Sequence, residues 1–526
     1  MDNVKIRELP QKTRPTSTDM IIVEDNDGTK TVEISELRSL LQSTFYFNTV
    51  DDMKNASFKE GDTVTTLGYR SVNDGGGAQY KIVYAPTDLD DGILVHYLHT
   101  SDTLRAHLVH NGELNVLKAG AFGNGESDDY TVFNKLIKMG YPLVIPRRKY
   151  KISGSLNIPS NTVMDFNNSE IICATSACVC IGLDEKASNI VVKNATFIGP
   201  YGVEVYAYGD NVTIQNCVFK SSGKISMSKG IIISGATNVT AESNMIGDED
   251  YQVDYGIFMS SSKKGSTTCG NENVSIHGNR MIVSRYGIDL TSVETDKNIQ
   301  IVDNNIKGKD SVDLDNICGI QVSSNTNALL ISSCGLTRVG TGVSVAGLVS
   351  ATVSITDIIG TDVTILYAIL SDQARVYISG LQKIITLDRN CYIFDRMTGY
   401  LTLNSEFDIT VGSGYKCMQA KTSIAGDLID NSDPRSKTKI ELKSAMNDNL
   451  DNAVPGYKNV AISIDYSGNI TDLPFPSLYG QVVAIYSKSG AVLKHNTNIL
   501  LGNDITLDQY VPVLVKNIAG LWTRIG

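Results

Sequence analysis

The sequence predicts an all-β solenoid, and two alternating phrases with no helical spacing between them carry that prediction. One phrase is a glycine followed by an apolar-x-apolar step: Gly202-Val-Glu-Val, Gly230-Ile-Ile-Ile, Gly256-Ile-Phe-Met, Gly287-Ile-Asp-Leu, Gly319-Ile-Gln-Val and Gly342-Val-Ser-Val. These glycines stand 28, 26, 31, 32 and 23 residues apart. The other phrase opens on asparagine: Asn189-Ile-Val-Val, Asn211-Val-Thr-Ile, Asn238-Val-Thr-Ala, Asn273-Val-Ser-Ile, Asn298-Ile-Gln-Ile and Asn327-Ala-Leu-Leu. Period-two alternation and β-branched residues make each phrase a short strand. Two strands per repeat predict one coil per repeat, each strand pairing with its equivalent about 4.8 Å away. A single coil cannot bury its own apolar face, so the core must be shared down the stack.

The alternation also sorts inside from outside. In each glycine phrase the middle residue is predicted to face out, giving a column Glu204, Ile232, Phe258, Asp289, Gln321 and Ser344. Just before the glycines stand Tyr201, Lys229, Tyr255, Tyr286, Cys318 and Thr341. This mixture suits a sugar-binding surface, because aromatic faces cover the apolar faces of sugar rings while carboxylates and amides bond the hydroxyls. Tyr201, Tyr255, Phe258, Tyr286 and Gln321 are therefore the candidate substrate-binding residues. The alternative is a solvated outer sheet with scattered aromatics.

Composition narrows the function classes. The chain has 526 residues and a net charge of -11, which argues against nucleic acid as partner. The opening MDNVKIRELP has no apolar centre, so no secretion leader is expected, and no run of about 18 apolar residues predicts a membrane span. Nine cysteines without a framework spacing are read as reduced thiols of a protein made in a cytoplasm.

In chain order, residues 1–44 form a small opening unit. Met20-Ile-Ile-Val-Glu and Thr29-Lys-Thr-Val-Glu-Ile flank the turn Asp25-Asn-Asp-Gly28 as a hairpin, and Ser35 caps a short helix. The unit is too small for its own core and must lean on a sister chain or a larger assembly. Residues 45–115 follow as a β-rich neck. Its glycine run Asn73-Asp-Gly-Gly-Gly77 lacks the ending of a phosphate loop and is a turn. His96, His99, His107 and His110 repeat an H-x-x-H spacing, but residues three apart on a strand face opposite sides, so no metal is assigned. Within 116–400, an amphipathic helix over 128–140, closed by Gly140, caps the solenoid, and Pro142-Leu-Val-Ile-Pro146 is expected to be a short buried strand. Residues 401–445 are a transition. Residues 446–526 read as strands: Val460-Ala-Ile-Ser-Ile, Gln481-Val-Val-Ala-Ile-Tyr and Tyr510-Val-Pro-Val-Leu-Val, with Trp522 as a core plug.

The stretch Leu114-Asn-Val-Leu-Lys-Ala-Gly-Ala-Phe-Gly-Asn-Gly-Glu-Ser-Asp-Asp-Tyr-Thr-Val-Phe resembles the lead-in of pectate-lyase-like right-handed parallel β-helices, as does Ile145-Pro-Arg-Arg-Lys-Tyr150. It departs at Asn124, Tyr130 and Arg148, where Asp, Thr and Gly are usual in that family. Ile6-Arg-Glu-Leu-Pro and Thr18-Asp-Met-Ile-Ile-Val-Glu-Asp resemble the virion-attachment regions of bacteriophage tailspikes. Leu473-Pro-Phe-Pro-Ser-Leu-Tyr-Gly-Gln-Val and the C-terminal Gly520-Leu-Trp-Thr-Arg-Ile-Gly526 resemble small knob modules of phage fibres. The resemblance implies a homotrimeric tailspike in the virion. Residues 1–44 would then meet tail or baseplate proteins, and the β-helix would bind host surface polysaccharide. Such spikes often cleave what they bind.

Cleavage would fall to carboxylates, since no nucleophile elbow or Cys-His phrase is present. A glycosidase needs two, about 5 Å apart for retention or 6.5–9.5 Å for inversion. Asp254 and Asp289 occupy neighbouring repeats at an expected separation of roughly 8–12 Å, with Glu204 further off in the same column. Asp254, Asp289 and Glu204 are thus the candidate catalytic residues. Asp248, Glu249, Asp250, Asp310, Asp313 and Asp315 read as loop charges. No cofactor and no metal are expected. A receptor-binding spike and a polysaccharide depolymerase remain as two readings.

Overall fold

The computed structural model describes residues 20–25, 28–33 and 44–397, except 223–225, 251–252, 348–349, 388 and 390. Beyond 400 it describes mainly strands and their neighbours up to residue 525. The chain divides into two units, 1–122 and 123–526.

In the first unit, Met20–Asp25 and Gly28–Glu33 pair antiparallel in the register Met20↔Glu33 to Asp25↔Gly28, as the hairpin reading requires. The helix expected at Ser35 lies outside the described residues. A five-stranded sheet follows in the order Thr44–Phe47, Thr63–Thr66, Gln79–Tyr84, Ser101–Leu108, Val95–Leu98. The helix Val50–Lys54 begins with a reciprocal cap: Asp52 N donates to Thr49 Oγ1 and Thr49 N donates to Asp52 Oδ2, both at 3.1 Å. The Asp74 carboxylate gathers the backbone N–H groups of Tyr69, Arg70, Ser71 and Gly76, so the glycine run is a turn closed on its own aspartate. His96 is buried with its ring 5.5 Å from that of Tyr80, and burial pushes its pKa down to about 4. Among the described residues no cluster of three His, Cys, Asp or Glu is placed to hold a metal.

The second unit opens with the strand Asn124–Asp128, which pairs parallel with Lys149–Ile152, and the helix Tyr130–Met139, which buries Phe133, Leu136 and Ile137. Gly140 closes it in the left-handed region at φ 74. The strand expected at Pro142–Pro146 is only Leu143–Val144, and Val144 is 39% exposed. Val144 is not buried because alternation turns its neighbours inward instead, Leu143 partly and Ile145 fully.

A parallel β-helix follows. The glycine-phrase strands form one parallel sheet, in which a single row pairs rung by rung: Cys180↔Glu204, Glu204↔Ile232, Ile232↔Phe258, Phe258↔Asp289, Asp289↔Gln321 and Gln321↔Ser344. The first five asparagine phrases stack likewise, Ile190↔Val212↔Val239↔Val274↔Ile299. The sixth is shifted by one residue: Leu329 is level with Ile299, and Ala328, at φ 61, rather than Asn327 is level with Asn298. Among the described residues the coils from 201 to 369 carry three strands rather than the expected two. The third series includes Val218–Lys220, Met245–Ile246, Arg280–Val283 and Asn305–Gly308. These strands are too short to display an alternation of their own in the sequence.

The glycine phrase has a steric cause. A Cβ on Gly287 would lie 2.4 Å from Ile306 Cγ2 and 2.5 Å from the Gly319 carbonyl oxygen. Gly202, Gly230, Gly256 and Gly319 meet the same two obstacles, an inward side chain of the third strand and the carbonyl of the next coil. The backbone therefore approaches the core and its neighbouring rung more closely than any side chain allows. The asparagine phrase has a conformational cause. Asn189, Asn211, Asn238, Asn273 and Asn298 lie at φ between 51 and 59, a region asparagine tolerates best after glycine. Their amides climb the stack, with Asn211 Nδ2 donating to Asn189 Oδ1 at 2.8 Å and Asn273 Nδ2 to Asn238 Oδ1 at 3.0 Å.

The parallel stacking persists through Arg375–Thr386 and Tyr400–Val411, which pair along their whole lengths. It changes hand of pairing at the end: Val482–Ser487 pairs antiparallel with Val513–Ile518, which pairs antiparallel with Leu521–Arg524. Trp522 on that last strand is 2% exposed and fills the core there. Most of the Leu473–Val482 phrase lies outside the described residues.

Candidate functional site

Two outward rows run along the glycine-phrase sheet. One is Tyr201, Lys229, Tyr255, Tyr286 and Cys318; the other is Glu204, Ile232, Phe258, Asp289 and Gln321. Between the rows the glycine and the residue after it both face the core, as their burial shows, so the chain bends and the two rows stand side by side.

The middle of this strip is aromatic. The rings of Tyr255 and Tyr286 stack with centroids 5.3 Å apart and planes 19° from parallel. Phe258 meets Tyr255 edge-on at 5.5 Å. Such a floor arises because one rung separates equivalent residues by about the thickness at which rings stack.

Two cations lie over it. Lys229 Nζ is 4.0 Å from the centroid of Phe258, 5.5 Å from Tyr255 and 5.8 Å from Tyr201. The Arg285 guanidinium is 5.5 Å from Tyr255 and 5.9 Å from Tyr286. Burial draws the Lys229 pKa down, opposed by the charges of Glu204 and Asp289.

Asp289 departs from the expected outward, solvated position. It is 4% exposed, and its Oδ1 has no hydrogen-bond partner among the described residues. Burial pushes its pKa up to about 6, with the charges of Lys229 and Arg285 working against that rise. Ile232 and Ser344 in the same row are buried too. On the adjacent rungs Asp289 is flanked by the larger side chains of Phe258 and Gln321.

The other carboxylates stand apart. Glu204 Oε2 accepts from the Tyr206 hydroxyl at 2.7 Å. It lies three rungs from Asp289, about 14 Å between Cα atoms at the parallel-strand spacing. Asp254 Oδ1 accepts from Ser284 Oγ at 2.8 Å, and the Asp254 carbonyl accepts from Arg285 N at 3.2 Å. Asp254 is therefore level with Arg285, four residues from the rung position of Asp289. The separation expected from the sequence assumed three, and the extra residue adds about 3.3 Å along the strand. Gln321 Nε2 donates to Ser323 Oγ at 2.7 Å. Glu249 and Asp310 are held in a surface ion network with Lys307 and Arg338, and Asp313 caps the turn Leu314–Asn316.

The strip thus brings together Tyr201, Tyr255, Phe258, Tyr286 and Asp289, and leaves Asp254 and Glu204 at its margins. Sequence reasoning placed Lys229 in the row without assigning it a role, and it passed over Arg285, Tyr206 and Lys264. Lys264 belongs to a hairpin, Ser262–Lys264 with Thr267–Cys269, that puts its Nζ 5.5 Å from the Tyr208 ring centroid. Arg285 and Lys229 were findable as cations beside the tyrosines of the repeating phrase; Lys264 was not, since its hairpin interrupts the repeat.

No family model matches the chain. Over 45 residues it is 51% identical to the pre-neck appendage protein of Bacillus phage B103, a match covering 9% of this chain and 5% of that protein. Among solved structures it is similar to the enzymatically active domain of tailspike protein 2 of bacteriophage CBA120. That similarity has 12% identity and a TM-score of 0.47, covering 81% of this chain and 57% of the other. It is also similar to the tailspike of Acinetobacter phage vb_AbaP_AS12, with 12% identity, a TM-score of 0.46, and coverage of 91% and 88%. A third similar structure is the surface adhesin PfbA of Streptococcus pneumoniae, with 13% identity, a TM-score of 0.40, and coverage of 63% and 99%. No described helix is long and apolar enough to cross a membrane.

Proposed function

We propose that this chain is a receptor-binding spike of a bacteriophage tail and that it holds host surface polysaccharide on the aromatic strip. The single observation that carries the binding reading is the stacked pair Tyr255 and Tyr286, continued by Phe258, on the outer face of a stiff parallel sheet. Rings fixed by the rung spacing bind a flat sugar face without ordering themselves first, and an extended glycan lies along the rungs. The virion assignment draws on the lead-in and anchor phrases of the sequence and on the short match to a phage appendage protein. On that reading the spike is a homotrimer attached through residues 1–44, and native mass spectrometry showing a stable monomer at micromolar concentration would reject the trimer. Tyr286→Ala removes one stacking face and is expected to weaken binding to host glycan by on the order of 1 kcal/mol with the melting temperature retained. Unchanged affinity in that variant would move the site off the strip.

A second reading, an endo-acting glycoside hydrolase, is favoured by Asp289. A buried carboxyl with a raised pKa is suited to donate a proton to a leaving oxygen. Glu204 or Asp254 would have to supply the second carboxylate across a wide gap. Incubating the spike with host glycan and assaying new reducing ends or unsaturated sugars decides between the readings. Under the hydrolase reading Asp289→Asn abolishes release and spares binding.

A further inference from the structure

Among the described residues the strip leaves three polar groups without a hydrogen-bond or ion-pair partner, and they are of complementary kinds. Asp289 Oδ1 is a buried acceptor with nothing donating to it among the described residues. The Lys229 ammonium is half-buried on three aromatic faces, with its closest ring contact at 4.0 Å, and no hydrogen bond or ion pair from a described residue reaches it. The Arg285 guanidinium is exposed beside the Tyr255–Tyr286 stack and likewise has no ion pair among the described residues. Some basic groups elsewhere on the same solenoid are paired, such as Lys149 with Glu170 at 3.0 Å, Lys193 with Asp165 at 3.3 Å, and Lys307 with Asp310 at 3.0 Å.

We propose that the strip selects a glycan carrying anionic sugar residues, with Lys229 and Arg285 receiving the anionic substituent and Asp289 receiving a hydroxyl of the same or the adjoining sugar. This rests on the glycan-binding reading above and names its substrate class. A neutral sugar on the Tyr255–Tyr286 floor supplies a hydroxyl for Asp289 but offers the two cations only weak acceptors. A carboxylate or phosphate on the sugar gives each a charge-assisted bond, and the partly desolvated Lys229 gains most from it. The chain as a whole carries a net charge of -11 and repels acidic polymers in general, so the attraction for an anionic sugar has to come from these two cations. Aromatic floor, cations and acceptor together describe a hydroxylated ring with a negative substituent, which neither the rings nor the charges describe alone.

The test uses the full-length spike on an array of purified bacterial surface polysaccharides, followed by chemistry on the glycan it binds best. That glycan is expected to be acidic. Its carboxyl-reduced form, or its form dephosphorylated with hydrofluoric acid, is expected to bind at least about tenfold more weakly, and whichever treatment acts identifies the anion as carboxylate or phosphate. Lys229→Gln is expected to cause a similar loss and to flatten the salt dependence of binding, with Lys229→Arg restoring both; thermal melts confirm that the variants fold. Binding of a neutral glycan that is lost in Tyr286→Ala would overturn the charge inference and leave the strip as the site. Full binding after both chemical treatments would do the same. A spike that binds no polysaccharide on the array, or binds one equally well as Tyr286→Ala, would reject the underlying reading.

Discussion

Two regions of the same coil treat buried polar groups in opposite ways. At the corner after the asparagine-phrase strand, Asn244, Asn279 and Asn304 are all buried and all saturated. Asn279 Nδ2 donates to the carbonyls of Ala241 and His277 and to Asn304 Oδ1, while its Oδ1 accepts from the backbone and side chain of Asn244. On the strip, Asp289 is buried to a similar degree and one of its oxygens has no partner among the described residues. A stacked amide satisfies its neighbours because each rung repeats the same donor and acceptor one step away. The strip breaks that repetition, with Lys, Tyr, Tyr and Cys in one row and Ile, Phe, Asp and Gln in the other. Repetition yields stability; its interruption yields unmatched groups that a ligand can match.

Three substitutions break or sharpen this contrast. The largest effect is expected at the ladder. Asn279→Ala leaves two donors of Asn244 and two backbone carbonyls short of a partner, at a cost of about 3 kcal/mol in stability. A thermal melt indistinguishable from the parent would show that the ladder does not hold the corner.

At the strip the sign reverses. The folded-state pKa of Asp289 is about 6 against an ordinary 3.8, so the folded chain keeps a proton that the unfolded chain releases between those values. Stability associated with that proton is present below the unfolded pKa and is lost as pH rises through about 6, a cost of roughly 2–3 kcal/mol above it. Asp289→Asn removes the buried charge and is expected to be more stable than the parent at pH 8 by about 2 kcal/mol, with no advantage near pH 3.5. Equal melting shifts at both pH values would mean that the carboxylate is solvated or paired.

The smallest effect is expected on the exposed ladder. Asn273 lies at φ 55 and its amide bridges Asn238 and Asn298 at the surface. Asn273→Ala places an ordinary side chain in the left-handed region and should cost about 1 kcal/mol, whereas Asn273→Gly should cost a few tenths. Equal losses in chemical denaturation would assign the cost to the amide bonds rather than to the backbone.

Much of the fold was legible because its causes are local. Gly287 shows itself in the sequence because its backbone touches Ile306 and the next coil, and the same crowding recurs every turn. The left-handed asparagines recur for the same reason. The third strand of each coil escaped notice because elements such as Met245–Ile246 are too short to alternate. The buried ladder escaped because Asn244, Asn279 and Asn304 follow residues of varied type, namely Ser243, Gly278 and Asp303, that share only a positive φ. Of the candidate site, the rows and their rung partners were legible, and the four-residue offset that carries Asp254 away from Asp289 was not. That offset depends on which residue of one coil bonds which residue of the next.

By itself the sequence determined a stack of coils, their spacing and which residues share a column, since each of these follows from what one turn of chain can tolerate. Only the tertiary structure decided that Asp289 is buried, that Lys229 rests on Phe258, and that two tyrosines stack into a floor. Burial and stacking belong to neighbours some 30 residues away along the chain and one rung away in space, about 4.8 Å. No local pattern records what the adjacent rung will put there.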